Sequence, residues 1–358
     1  MKQLFCLLIL AVALVLPCKA EYLDTNGLER NLTPDAREIL SDVSPQTAGT
    51  GGVKNLLRSA GDGFRTQLRA AFSSAFLMTA ACAVISLAAA FAKQSGHELP
   101  QKLTEITSVV AILAIGISNA GSLIGECGRA MEGYSAFSKT LIPVFAAATA
   151  LSGRPVAAAG TATVTLTAGA LLIDLASRLI LPAIYASIVL TAAGLIAENS
   201  FLCRAASLIK WLTTGFYKLF LIGFTLMLSI SGIAGGSADV AAVKTARVTL
   251  SGVVPVVGSV VADASEAIVG GAGVLRTSIG IYGMLGACAI CLLPFVALFT
   301  YFLVFKLMSA VATSFATAGA AKMIDGISDG YAVSVGLLGT CCALQFLSFV
   351  VSTVVIRL

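Results

Sequence analysis

The interpretation of the fold depends on residues 250–283, LSGVVPVVGSVVADASEAIVGGAGVLRTSIGIYG. Its apolar run covers 253–262, about half of the roughly 20 residues that a membrane-spanning helix needs. Six residues that break or polarise an apolar helix lie within or just after this run: Pro255, Gly258, Asp263, Glu266, Gly270 and Gly271. Irregular backbone at membrane depth is tolerated only where protein covers it or water lines it. The stretch therefore predicts a re-entrant or interfacial hairpin.

The two acids of this stretch allow two interpretations. Asp263 and Glu266 are spaced i and i+3, so on a helix they share one face. Unpaired carboxylates are costly in hydrocarbon, and acids held there often line an ion path. On an interfacial amphipathic helix the same acids would simply point to water. The interfacial interpretation is favoured, and the ion path stays as the alternative.

The composition is that of a membrane protein. The chain has 358 residues, of which 58% are hydrophobic and 11% charged, against roughly 25% charged in a soluble domain. The abundance of small residues suits helices whose backbones approach closely within lipid. The net charge of +5 is modest and no Lys/Arg run is dense, so nucleic acid is not an expected partner and the lipid bilayer is. We predict an all-α polytopic membrane protein.

The residues needed for common catalytic and metal sites are missing from the sequence. His97 is the only histidine, and no HExxH or Walker-type phosphate loop is present. The nine cysteines include Cys288-x-x-Cys291, which has redox spacing but lies in an apolar helical pattern, so small buried hydrophobes are the favoured interpretation. We therefore predict a non-enzymatic protein with no catalytic residues, no cofactor and no metal.

The N-terminal part divides into a leader and a polar lead-in. Residues 1–20 have a basic start, an apolar core and small residues before Glu21, which predicts a cleavable signal peptide. Residues 21–71 form the lead-in and end in an amphipathic interfacial helix. Within it, TPDAREIL at 33–40 predicts a short helix capped by Thr33 with Pro34 in its first turn.

Six to eight spans are expected in the rest of the chain. Residues 72–125 make a first helical pair, and 141–152 is too short to span. The further apolar segments are 168–197, 212–233, 280–305 and 331–356. A cleaved signal and six spans place both termini outside, whereas the distribution of Lys and Arg favours the opposite, so the orientation stays open.

Equal proline spacing suggests an internal duplication. Pro143 and Pro182 are 39 residues apart, as are Pro255 and Pro294, and a shift of 112 residues aligns the two pairs and their apolar neighbours. We accordingly predict a first repeat over 139–233 and a second over 250–358, each with a hairpin, a Pro-containing span and a second span. Pro182 and Pro294 would act as static bends, with gating hinges as the alternative.

Two more polar positions need an interpretation. Asp174 and Arg178 are spaced i and i+4, which predicts an ion pair facing a cavity or partner. The alternative is that the segment divides here and leaves both at a surface. KMIDGISDG at 322–330 is interpreted as a polar loop between spans, so its two aspartates are expected in a solvated turn.

The leader, the polar lead-in and above all the stretch 250–283 resemble the stage III sporulation protein AE family of endospore-forming bacteria. The resemblance covers roughly residues 55–356, is densest from Thr249 to Pro294, and rests on apolar motifs. It implies one of eight proteins made from a single operon in the mother cell, acting after engulfment in the membrane around the forespore. With a forespore partner they would form a channel or feeding tube.

The same resemblance implies the polytopic component of a secretion-like apparatus, in contact with other membrane proteins of that complex. A homo-oligomer is a further candidate arrangement. It carries no catalytic residues that can be transferred. The rival interpretation from the residues is a self-contained secondary transporter for a small solute or ion, which would place convergent charges at a midplane site. An intramembrane enzyme is disfavoured, because no nucleophile and base can be assembled.

Overall fold

The computed structural model describes residues 32–41, 50–94, 101–151, 157–216, 218–220, 222–223 and 258–354. The predicted signal peptide at 1–20 and Pro255 lie outside the described residues. The side chains of residues 258–280, among them Asp263 and Glu266, lie outside them too.

Every regular element in the described residues is an α-helix, which confirms the all-α prediction. The helices are α1 Pro34–Ile39, α2 Thr50–Gln94, α3 Gln101–Leu151, α4 Ala157–Ile196, α5 over residues 200–216, α6 Gly258–Ala312 and α7 Ala318–Val354. Thr33 caps α1 by accepting a hydrogen bond from the backbone N–H of Ala36 at 3.4 Å, and Pro34 occupies the first turn as predicted.

Four helices in the described part are long and apolar enough to cross a membrane. They are Lys54–Phe91, Lys102–Val144, Gly169–Ile196 and Ile281–Ala312. Each exceeds the roughly 20 residues that a bilayer requires. This agrees with a helical membrane protein.

Contacts between helix ends show how neighbouring helices run. Near the end of α3, the Nζ of Lys139 lies 2.7 Å from the Oδ2 of Asp174, which is in the first half of α4. At the start of α3, the Nζ of Lys102 lies 3.1 Å from the Oε2 of Glu198, just after α4. Helices α3 and α4 are therefore antiparallel neighbours.

Glycines bring several helices into close contact, as the composition predicted. A β-carbon at Gly330 of α7 would lie 2.7 Å from the Cδ1 of Ile188 in α4. A β-carbon at Gly116 of α3 would lie equally close, 2.7 Å, to the Cδ1 of Ile327 in α7. A methyl group at either position would require the facing isoleucine to move, so α7 packs closely against both α3 and α4.

The first predicted hairpin does not form as separate short arms. Helix α3 continues through Pro143 to Leu151, and α4 begins at Ala157 and continues through Pro182. Residues 152–156 lie outside the described residues. A proline removes one backbone hydrogen bond, and in long packed helices this single loss does not end the helix.

The described part of the stretch 250–283 is also more regular than expected. Helix α6 begins at Gly258 and runs without a break past Asp263, Glu266, the glycines 270–271 and Pro294. The re-entrant or interfacial hairpin predicted over 250–283 is therefore not seen within 258–283, where the helix is continuous, whereas residues 250–257 lie outside the described part. The internal duplication remains a prediction.

The polar segment 322–330 is helical and not a loop. It lies within α7, and the connection between α6 and α7 is at residues 313–317 instead. Asp325 and Asp329 are thus one turn apart on a helix face, where both form ion pairs.

Candidate functional site: a polar cleft at Pro294

A cleft of about 540 Å³ opens between α1, α2, α3 and α6. Its polar lining comes from all but α6: Thr33, Asp35, Thr66, Gln67, Glu126 and Arg129. Helix α6 contributes Ile290, Leu293, Pro294 and Ala297. An apolar wall facing a few convergent polar groups is the usual form of a binding site in a helical protein.

The charged groups of the cleft come mainly from α3. Glu126 and Arg129 are one turn apart and belong to the apolar helix Lys102–Val144. Glu126 is half-buried and Arg129 is exposed. Among the described residues neither forms an ion pair. Ionisable residues within apolar spans are rare because they are costly to keep there, and they commonly mark pathways for ions or substrates.

Pro294 leaves one backbone acceptor of α6 without its helical donor. A proline has no N–H, so the carbonyl of Ile290, four residues earlier in α6, lacks its usual helical donor. Ile290 and Pro294 both line the cleft. A carbonyl freed in this way is tolerated at membrane depth where it meets protein or a water-filled cavity. Among the described residues that the sequence suggested as pathway or bend residues, Pro294 lines this cleft.

Beyond the cleft, α6 enters an aromatic cluster that it shares with α7. The ring centroid of Tyr301 lies 5.9 Å from that of Phe305 and 5.7 Å from that of Tyr331. Tyr331 and Phe305 are fully buried and Tyr301 nearly so. Tyr331 packs edge to face against both rings of α6, so the aromatic cluster fastens α6 to α7.

A second polar site joins three helices. The Nζ of Lys306 in α6 lies 2.7 Å from Asp325 and 3.3 Å from Asp329, both in α7. Asp329 also binds Lys210 of α5. We call these four residues the lysine–aspartate network. Its positive and negative charges balance, so it fastens helices together without requiring an additional ion.

The predicted pair of Asp174 and Arg178 is corrected by the structure. The helix does not divide at this point, and Asp174 pairs with Lys139 of α3 at 2.7 Å. Arg178, although one turn away, is exposed and forms no ion pair among the described residues. The Lys139–Asp174 pair therefore fastens α3 to α4, and neither of its residues lines the cleft.

Of the remaining sequence-predicted residues, Pro255 and the side chains of Asp263 and Glu266 lie outside the described residues. Pro143 and Pro182 are exposed on α3 and α4, and Gly258 is the first residue of α6. Asp263 and Glu266 lie in the first turns of α6. Sequence reasoning missed Glu126 and Arg129 because the apolar pattern of the second span was taken to end at residue 125. A glutamate and an arginine three residues apart on a continuing helix were the available signal.

The described residues offer no group of three or more His, Cys, Asp or Glu side chains that could hold a metal ion. The cleft accordingly combines two carboxylates, one guanidinium, hydroxyls and an amide. This set can bind a polar or charged group through hydrogen bonds and charge.

Comparison with known proteins points to one family. The family model described as Stage III sporulation protein AE matches residues 46–356. The protein named Stage III sporulation protein AE from Bacillus subtilis (strain 168) is 23% identical over 279 residues, which cover 77% of this chain and 68% of that protein. No solved structure matches the chain.

Proposed function

The chain belongs to the stage III sporulation protein AE family, and on that premise we propose that it is a non-enzymatic, multi-pass membrane component of a channel or secretion-like complex. In this proposal the complex links the mother cell to the forespore and is required for late forespore development. The chain would lie in the mother-cell-derived membrane around the forespore, next to other membrane proteins of the same complex. The membership itself supports a role in sporulation.

The observation that supports a transport role is the charged lining of the cleft. Glu126 is held half-buried on an apolar helix without an ion-pair partner among the described residues. Keeping such a group in an apolar setting is costly, and a purely structural role would favour pairing it. An unpaired charge is expected instead on a surface that binds polar cargo or a polar partner.

A self-contained secondary transporter is the second candidate, and one observation favours it. Such transporters bind their substrates at a site within the membrane lined by convergent polar groups, and Glu126, Arg129 and Pro294 share one cleft. The two candidates differ in their need for partners. A transporter works after reconstitution alone, whereas a component of the complex works only with its partners present.

Deletion and complementation in an endospore-forming host test the proposal. We expect deletion to stop sporulation after engulfment while vegetative growth continues. Complementation with Glu126→Gln should lower the yield of heat-resistant spores at least tenfold. Glu132→Gln is the matched control, because Glu132 is an exposed glutamate of the same helix that does not line the cleft. Normal spores from the deletion strain would refute the role in sporulation.

A further inference from the structure

Helix α1 stands apart from the rest of the described fold. It covers Pro34–Ile39, whereas the family match begins at residue 46. Three of its six residues are charged, namely Asp35, Arg37 and Glu38. Nevertheless one of its faces is fully buried in the helix bundle. A segment outside the family match therefore packs onto the core that the family shares.

The contacts of α1 are with α2, α3 and α6. Its buried side is formed by Leu32, Ala36, Ile39 and Leu40. The Nδ2 of Asn55 in α2 donates a hydrogen bond to the carbonyl oxygen of Ile39 at 3.4 Å. This apolar face with a polar opposite face is the pattern of an amphipathic helix lying in a groove.

Two glycines make the groove that receives α1. A β-carbon at Gly133 of α3 would lie 2.8 Å from the Cγ2 of Thr33. A β-carbon at Gly286 of α6 would lie 3.3 Å from the Cδ2 of Leu32. Both contacting atoms are methyl carbons at the start of α1, so the segment fits the groove by its shape and not by its charge.

The position of α1 also closes one side of the cleft. Thr33, Pro34 and Asp35 form part of the cleft lining, and the other lining residues belong to α2, α3 and α6. Glu126 and Gln67 line the same cleft, and both are half-buried. Removing α1 from the groove would take away the wall and widen the access of water to them.

We propose that α1 is a removable cover on the polar cleft, bound in cis in the groove at Gly133 and Gly286. A helix of six residues is not stable by itself in water, so α1 is helical only while its apolar face is packed. This inference rests on the proposed function, because a removable cover has a use only if the cleft must open to a partner or cargo.

Thiol labelling of the full chain in native membranes tests the cover. Gln67→Cys places a reporter thiol in the cleft, and its reaction rate with a water-soluble maleimide is followed by mass spectrometry of that peptide. Ala36→Arg, on the buried side of α1, should raise the rate at least tenfold. Glu38→Arg puts the same residue on the exposed side of the same helix and should change the rate less than twofold.

A second variant acts from the groove and leaves α1 unchanged. Gly133→Val would collide with Thr33 and should raise the labelling rate as Ala36→Arg does. Equal rates in the parent and in both variants would overturn the proposal. Loss of helical circular dichroism in either variant would also overturn it, because α1 would then be an integral part of the core.

The labelling result and the spore result are separable. Faster labelling with normal spores from Glu126→Gln would retain the cover and reject the proposed use of the cleft. Unchanged labelling with few spores from Glu126→Gln would reject the cover and retain the proposed use of the cleft. The cover is judged by the labelling rate alone.

Discussion

Lys210 donates a hydrogen bond to Asp329 and thereby joins α5 to α7. The other carboxylate oxygen of Asp329 accepts from Lys306 of α6 at 3.3 Å. One carboxylate thus holds three helices together, over a separation of 119 residues along the chain between Lys210 and Asp329. The side chains of Lys210 and Asp329 are 33% and 25% exposed, so water only partly screens them.

Neutralising the shared carboxylate should therefore cost more than removing one lysine. We expect Asp329→Asn to lower the free energy of unfolding by about 1–2 kcal/mol and Lys210→Gln by roughly half of that. Thermal unfolding of the purified protein in detergent measures both. Lys322→Gln is the control, because Lys322 is exposed on α7 and forms no ion pair among the described residues. Equal effects in all three variants would contradict the network.

Gly286 is a second position at which a substitution should change the free energy of unfolding. A β-carbon there would lie 2.5 Å from the Cζ of Phe137, a fully buried ring of α3. Gly286→Ala should lower the free energy of unfolding by about 1–3 kcal/mol, since an aromatic ring in a packed core has little room to move. Gly121→Ala on α3 has nothing within 4 Å of its new carbon. In the same unfolding assay it should be neutral or slightly stabilising, as alanine favours a helix.

Composition and local pattern predicted that the chain is helical, but they did not predict where most of the helices begin and end. The cap at Thr33 was predictable because capping depends on a few adjacent residues. The glycines 270–271 were interpreted as interrupting an ordinary span, yet α6 passes through them. Packing against neighbouring helices offsets a local preference of this size, and a single sequence does not show that packing.

The candidate site was less predictable than the fold for a related reason. Asp174 has a cation one turn away in Arg178, but its partner is Lys139, 35 residues earlier. The cleft combines four helices, and the polar residues that α2 and α3 contribute to it, among them Glu126 and Arg129, were not identified from the sequence. Spacing along one helix reveals neighbours on that helix, whereas partners on other helices depend on how the bundle assembles.

The choice of Lys139 over Arg178 can be measured by a double-mutant cycle. Lys139→Gln combined with Asp174→Asn should show a coupling energy of about 0.5 kcal/mol, because the pair is half exposed. Arg178→Gln combined with Asp174→Asn should show a smaller coupling in the same assay. A larger coupling to Arg178 would restore the intrahelical pair that the sequence suggested.

Pro294 and Pro182 allow the role of the cleft to be separated from helix stability. Each proline interrupts the hydrogen bonds of an apolar helix, but Pro294 lines the cleft while Pro182 is exposed on α4. Replacement by alanine restores the missing N–H in either helix, so both variants should raise the free energy of unfolding by about 1 kcal/mol or more.

Their effects on function should differ. In Pro294→Ala the new N–H occupies the carbonyl of Ile290 and straightens the wall of the cleft, so complemented strains should yield at least tenfold fewer heat-resistant spores. Pro182→Ala should sporulate normally, because it changes a surface away from the cleft. Similar spore yields from the two variants would mean that the backbone acceptor at Ile290 has no part in function, and Glu126 would then remain as the residue of the cleft to test.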